Sequence, residues 1–133
     1  MFLVFRWHVH PTVENFKKMP DWLCPRVSQV MKEHPHWVDY LLWPRLRDLL
    51  TQMQTHVPFE QFFIPFTTTI RTNWPYEPRD CLIEVQNPSD PQGDKVWIMN
   101  PAFETHIRNL ENWTLGPRFK EEFPDLAEGV KLA

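Results

Sequence analysis

The stretch from His34 to Arg47 reads His-Pro-His-Trp-Val-Asp-Tyr-Leu-Leu-Trp-Pro-Arg-Leu-Arg. It brings two imidazoles, a carboxylate, two guanidinium groups, two indoles and a phenol into one short run. An imidazole beside a carboxylate can move protons, and aromatic walls with a few directed polar groups are the composition of ligand pockets. His36 and Asp39 are therefore candidate catalytic groups, with Arg71 as a third from further along the chain. Trp37, Tyr40, Trp43 and Arg45, joined by Trp74, Tyr76 and Trp113, are candidates for ligand contact. Trp and Tyr carry a donor that needs a partner when buried, which makes them costly as filler. The same rings also suit a core, and Asp39 keeps three open roles: capping near Pro44, pairing with Arg45, or touching a ligand.

Other chemistries find little support. His8-x-His10 and His34-x-His36 form two imidazole pairs, but alternate residues converge only on an extended strand, and both pairs abut a proline. Capping and hydrogen bonding are their expected roles, and no metal is expected. Cys81 follows Asp80 with no histidine in a local motif, and no glycine-flanked Ser or Cys elbow is present. Three scattered glycines leave no phosphate-cradling loop. Asp39, Asp48, Asp80, Glu84 and Glu104 fall on different elements, and no cofactor is implied.

The elements that must position these groups follow from composition and pattern. The 133 residues are 42% hydrophobic and 23% charged, which is globular and fits one domain, 1–133. Fourteen prolines against three glycines predict many stiff joints, and seven Trp with ten Phe supply large apolar area. A net charge of −3, with the basic residues spread along the chain, argues against nucleic-acid binding. No apolar run approaches a membrane span. Two cysteines without a framework and no signal-like start predict reduced thiols and a cytoplasmic protein, nuclear if regulatory.

Helical turns are expected over 1–9. Thr12 is the expected N-cap of a helix through Met19, with Val13 and Phe16 on one face. The stretch from Pro25 to Pro35 reads as an extended connection. Pro44 sits at the first turn of an amphipathic helix carrying Leu46, Leu49, Leu50 and Met53. A further helix from Pro58 carries Phe59, Phe62, Phe63, Phe66 and Ile70 on one stripe, with Pro65 as an internal kink. Leu82–Gln86 and Lys95–Met99 flank a turn-rich octet and predict a hairpin. Asn100-Pro101 and Gly116-Pro117 each open a helix, the first with Phe103, Ile107 and Leu110 inward, the second with Phe119 and Phe123. The fold class is mainly α (α+β), a helical domain with one small β-hairpin.

Three stretches carry a family resemblance. They are Arg6-Trp7-His8-Val9-His10-Pro11-Thr12 with Met19-Pro20-Asp21-Trp22-Leu23 and Pro25; His34 through Asp48; and Asn73-Trp74-Pro75-Tyr76, continuing through Asp80-Cys81 to Asn112-Trp113-Thr114-Leu115. Together they resemble a fungal family of domains of unknown function, DUF3425, usually found C-terminal to a bZIP region. The sequence contains no basic helix and no leucine heptad, so the DNA contact and zipper that the resemblance would imply are not expected here. The family offers no established catalytic residues to carry over.

Two functional expectations follow. One is binding of an apolar small-molecule metabolite in an aromatic-lined pocket, extending to a cofactor-free cyclase or isomerase, a pericyclic reaction in fungal secondary metabolism being the most economical case. The other is a regulatory or interaction domain that does not bind DNA, derived from a bZIP transcription factor. A homodimer is compatible with both.

Overall fold

A computed structural model describes residues 2–133 of the chain. The chain divides into two compact units, one formed by the residues up to Arg71 together with Thr114–Ala133, the other by Thr72–Trp113. The fold is mainly helical with a small antiparallel hairpin, as the pattern predicts.

The first unit begins with α1 (Phe2–Val9) and α2 (Val13–Lys17). Thr12 caps α2 from extended backbone, its hydroxyl accepting from the Asn15 N–H at 3.1 Å. The expected Val13/Phe16 face lies outward, with Val13 70% exposed. Asn15 and Met19 are the buried residues here, and the Asn15 amide donates to the His10 carbonyl. Val4, Met19 and Leu23 form one small core against which Trp7, Trp22, Cys24 and Tyr40 pack.

The region from Pro25 to Pro35 is not a simple extended connection, because Val27–Met31 forms a helix, α3. Its apolar residues Val27, Val30 and Met31 are all exposed, so no inward apolar stripe announces it. Polar side chains hold it instead: Ser28 and Gln29 reach neighbouring carboxylates, and the Gln29 amide oxygen accepts from the Arg26 N–H.

A 3-10 turn over His36–Tyr40 leads into α4 (Pro44–Gln52), with Pro44 in the first turn. Leu46 and Leu50 are buried as the period requires, together with Arg47, Asp48 and Thr51. In α5 (Phe59–Thr69), Phe62 and Phe66 are buried while Phe59 and Phe63 are nearly half exposed. The Phe62 ring lies 5.2 Å from Phe66, 5.8 Å from Phe119 and 5.7 Å from Phe123. Those last two rings come from the helix Pro117–Glu122 and its end. A following 3-10 stretch, Pro124–Gly129, packs on α4. A Cβ at Gly129 would sit 2.9 Å from Leu49 Cδ1 and 3.0 Å from the Leu46 backbone, so only glycine fits this close approach.

In the second unit, strands Leu82–Gln86 and Lys95–Met99 pair antiparallel, Leu82 opposite Met99 and Gln86 opposite Lys95. The Asn100 side chain caps the helix Pro101–Ile107 by accepting from Ala102 N–H, and donates to the Asp80 carbonyl at 2.8 Å. Two further short strands, Arg71–Thr72 and Trp113–Thr114, pair with each other. No helix among the described residues is long and apolar enough to cross a membrane.

Candidate functional site

The polar centre of the first unit is a buried cation. Arg47 is 0% exposed, and its five N–H groups all have acceptors. Nε donates to Gln29 Oε1 at 3.0 Å, one terminal nitrogen to the Leu41 and Leu42 carbonyls, the other to those of Trp22 (2.8 Å) and Cys24 (3.0 Å). A planar fork with fixed donors suits this task. Burial, reinforced by the nearby Arg26 charge, pushes the Arg47 guanidinium down to about 10, which leaves it charged at neutral pH. Beside it, Asp48 accepts from Arg26 at 2.8 and 2.9 Å and from the Ser28 hydroxyl. Burial works to raise the Asp48 carboxyl, but these bonds and the Arg26 and Arg45 charges outweigh it and hold the group below the usual carboxylate value.

Gln29 passes this order on to Asp39. Its amide oxygen accepts from Arg47 and from Arg26 N–H, which fixes the amide's orientation, and its Nε2 donates to Asp39 Oδ1 at 2.7 Å. His34 Nε2 reaches the same Oδ1 at 2.7 Å, while His34 Nδ1 lies 2.8 Å from the Lys32 carbonyl. A carbonyl and a carboxylate only accept, so this geometry favours the imidazolium form, in which both His34 nitrogens donate. Burial is the largest influence on His34 and works against that charge. The Lys32 carbonyl and the Asp39 bond and charge together overcome it and raise the group above its ordinary value.

His8 approaches the carboxylate from α1. Its Nδ1 bonds the Val4 carbonyl at 2.9 Å, and its Nε2 stands 3.7 Å from Asp39 Oδ2. That separation is an ionic approach but too long for a hydrogen bond. The His8 ring is held between Trp7 (centroids 5.2 Å) and Tyr40 (5.5 Å).

These groups form the polar wall of a cleft of about 180 Å³. Its apolar lining comes from Val4, Trp7, Leu23, Pro25 and Val30, and its polar lining from His8, Gln29, His34 and Asp39. One histidine of each His-x-His pair thus meets one carboxylate. Among the described residues no group of three His, Cys, Asp or Glu side chains is placed to hold a metal ion.

The model of the family described as Domain of unknown function (DUF3425) matches residues 2–133. The chain belongs to the DUF3425 family. No curated protein and no solved structure matches it.

Within this DUF3425 domain the expected site residues have different surroundings. Asp39 lines the cleft, and Tyr40 supports it through His8. His36 is exposed on the same 3-10 turn. Trp37, partly buried, packs on Phe62 (4.8 Å) and Phe59 (5.8 Å), and the buried Trp43 meets Phe66 edge-on, so both pack against the phenylalanines of the first unit. Arg45 pairs with Glu128 at 3.1 Å and not with Asp39. Arg71 is exposed and donates to the Ile70 carbonyl. In the second unit, Trp74 contacts Tyr76, Phe103 and His106 at 5.0 to 5.3 Å, while the Trp113 indole donates to the Ile107 carbonyl. Sequence reasoning missed Gln29 and Arg47 as organising groups. A helix-borne Arg one position from the buried Leu46 was the available signal.

Proposed function

We propose that this domain binds a small, largely apolar molecule in the His8–His34–Asp39 cleft. The observation that carries this reading is the convergence of two histidines and an amide on one carboxylate at the rim of an otherwise apolar cavity. Such a wall, apolar with a few directed polar groups, is the composition of ligand sites. At about 180 Å³ the cleft is below the roughly 300–1,000 Å³ of drug-sized sites, so it suits a compact ligand or the end of a longer one. A cofactor-free isomerisation or cyclisation would rest on the same groups, with Asp39 Oδ2 as the proton acceptor and His8 beside it.

The test is a titration of the isotope-labelled full chain with toluene and with benzyl alcohol, followed by amide chemical shifts. Saturable shifts around Val4, Trp7, Leu23 and Val30 that vanish in Val30→Trp support the reading. Val30 is exposed at the cleft edge, so the larger ring can fill the opening without entering the core. Shifts that never saturate, or that persist in Val30→Trp, refute it. A second reading, docking of a partner, draws on α3, where Val27, Val30 and Met31 are 79, 75 and 79% exposed.

A further inference from the structure

Resting on the reading just given, we infer that the cleft selects its ligand by a neutral hydroxyl group, which donates to Asp39 Oδ2 beside His8 Nε2. The two oxygens of Asp39 are not equivalent. Oδ1 is committed, accepting from Gln29 and His34 at 2.7 Å each. Oδ2 faces His8 Nε2 at 3.7 Å, beyond hydrogen-bond reach, and so keeps lone pairs for a donor from outside. Nor does His8 compete for that place. Its Nδ1 is turned to the Val4 carbonyl, which only accepts, so the Nδ1 hydrogen is fixed there, and its Nε2 stands too far from Oδ2 to occupy the oxygen's lone pairs. The cleft therefore presents the free Asp39 Oδ2, beside the His8 ring, to a space walled by Val4, Trp7, Leu23 and Val30.

Charge narrows the choice of donor. A carboxylate ligand would meet the Asp39 charge and is repelled. An ammonium would be drawn to Asp39, but that carboxylate already carries the His34 imidazolium on Oδ1 and is linked through Gln29 to the buried Arg47 cation. The local field around the free oxygen is thereby offset. A hydroxyl carries one donor, no net charge, and an apolar remainder that fits the rest of the cavity.

The experiment compares four probes of one shape: toluene, benzyl alcohol, benzylamine as its ammonium, and benzoate. Each is titrated into the full chain at neutral pH with amide shifts as readout. Benzyl alcohol is expected to bind about tenfold tighter than toluene, the worth of one hydrogen bond to a charged acceptor, with benzoate weakest. In Asp39→Asn, which keeps an acceptor for Gln29 and His34, the advantage over toluene should fall to about twofold or less. Equal binding of toluene and benzyl alcohol, with no effect of Asp39→Asn, overturns the hydroxyl inference and leaves the apolar cleft standing. Benzylammonium binding tightest also overturns it. Failure of every probe to bind at the cleft removes the underlying reading as well.

Discussion

Arg47 and Asp39 are joined through a single amide, that of Gln29, which accepts from Arg47 Nε at 3.0 Å and donates to Asp39 Oδ1 at 2.7 Å. The cation that holds the loop carbonyls of Trp22, Cys24, Leu41 and Leu42 therefore also aims the carboxylate at the cleft. Cleft and fold share one network, and a change at its buried end should be felt at its exposed one.

The first prediction concerns that buried end. Arg47→Lys keeps the charge but offers three donors where five are used, and Arg47→Met leaves four carbonyls and the Gln29 oxygen without this donor. A buried acceptor left without its donor costs about 1–3 kcal/mol, so Arg47→Met, which strands several at once, should lower the unfolding free energy by about 3–5 kcal/mol, with Arg47→Lys intermediate. Urea unfolding at neutral pH measures both. A loss under about 1 kcal/mol for Arg47→Met would show that the network contributes little to stability.

A second prediction follows from the His34–Asp39 pair. The folded state raises His34 above its ordinary value, so its contribution is fully present below the unfolded value, about 6.5. It is then lost as pH rises through the higher folded value. His34→Gln keeps a donor for Asp39 without a titrating charge. The stability gap between native and His34→Gln chains should therefore be largest in mildly acidic solution and shrink toward alkaline pH. Urea midpoints measured across that range test it, and a gap that widens with pH contradicts the assignment of His34 as imidazolium.

Much of the scaffold was legible because proline, caps and apolar period agree. Pro44, Asn100 and Pro117 mark their helices, and the two runs around the turn-rich octet form the hairpin. The helix Val27–Met31 was not, since its apolar residues face outward and its support comes from Asp48 and Asp39, distant in sequence. The candidate site was legible in part. Asp39 stood out by composition, but its partners His8, Gln29 and His34 come from three separate segments. Spacing along the chain carries no sign of that meeting, whereas aromatic density near Asp39 draws the eye to Trp37 and Trp43, which pack against phenylalanines.

Trp43 supplies the last prediction. Its ring is 5% exposed and edge-on to Phe66 at 6.3 Å, yet its buried indole N–H has no acceptor among the described residues. An unsatisfied buried donor costs about 1–3 kcal/mol. Trp43→Phe removes that donor and keeps an aromatic ring against Phe66, at the expense of a small void. The two effects oppose each other, so Trp43→Phe should leave the unfolding free energy within about 1 kcal/mol of the native value, while Trp43→Ala, which removes the ring, should cost about 3–5 kcal/mol. Urea unfolding of the three chains decides the matter. A Trp43→Phe loss as large as that of Trp43→Ala would mean that the indole N–H contributes to stability in solution, so that the ring does more at this position than fill space.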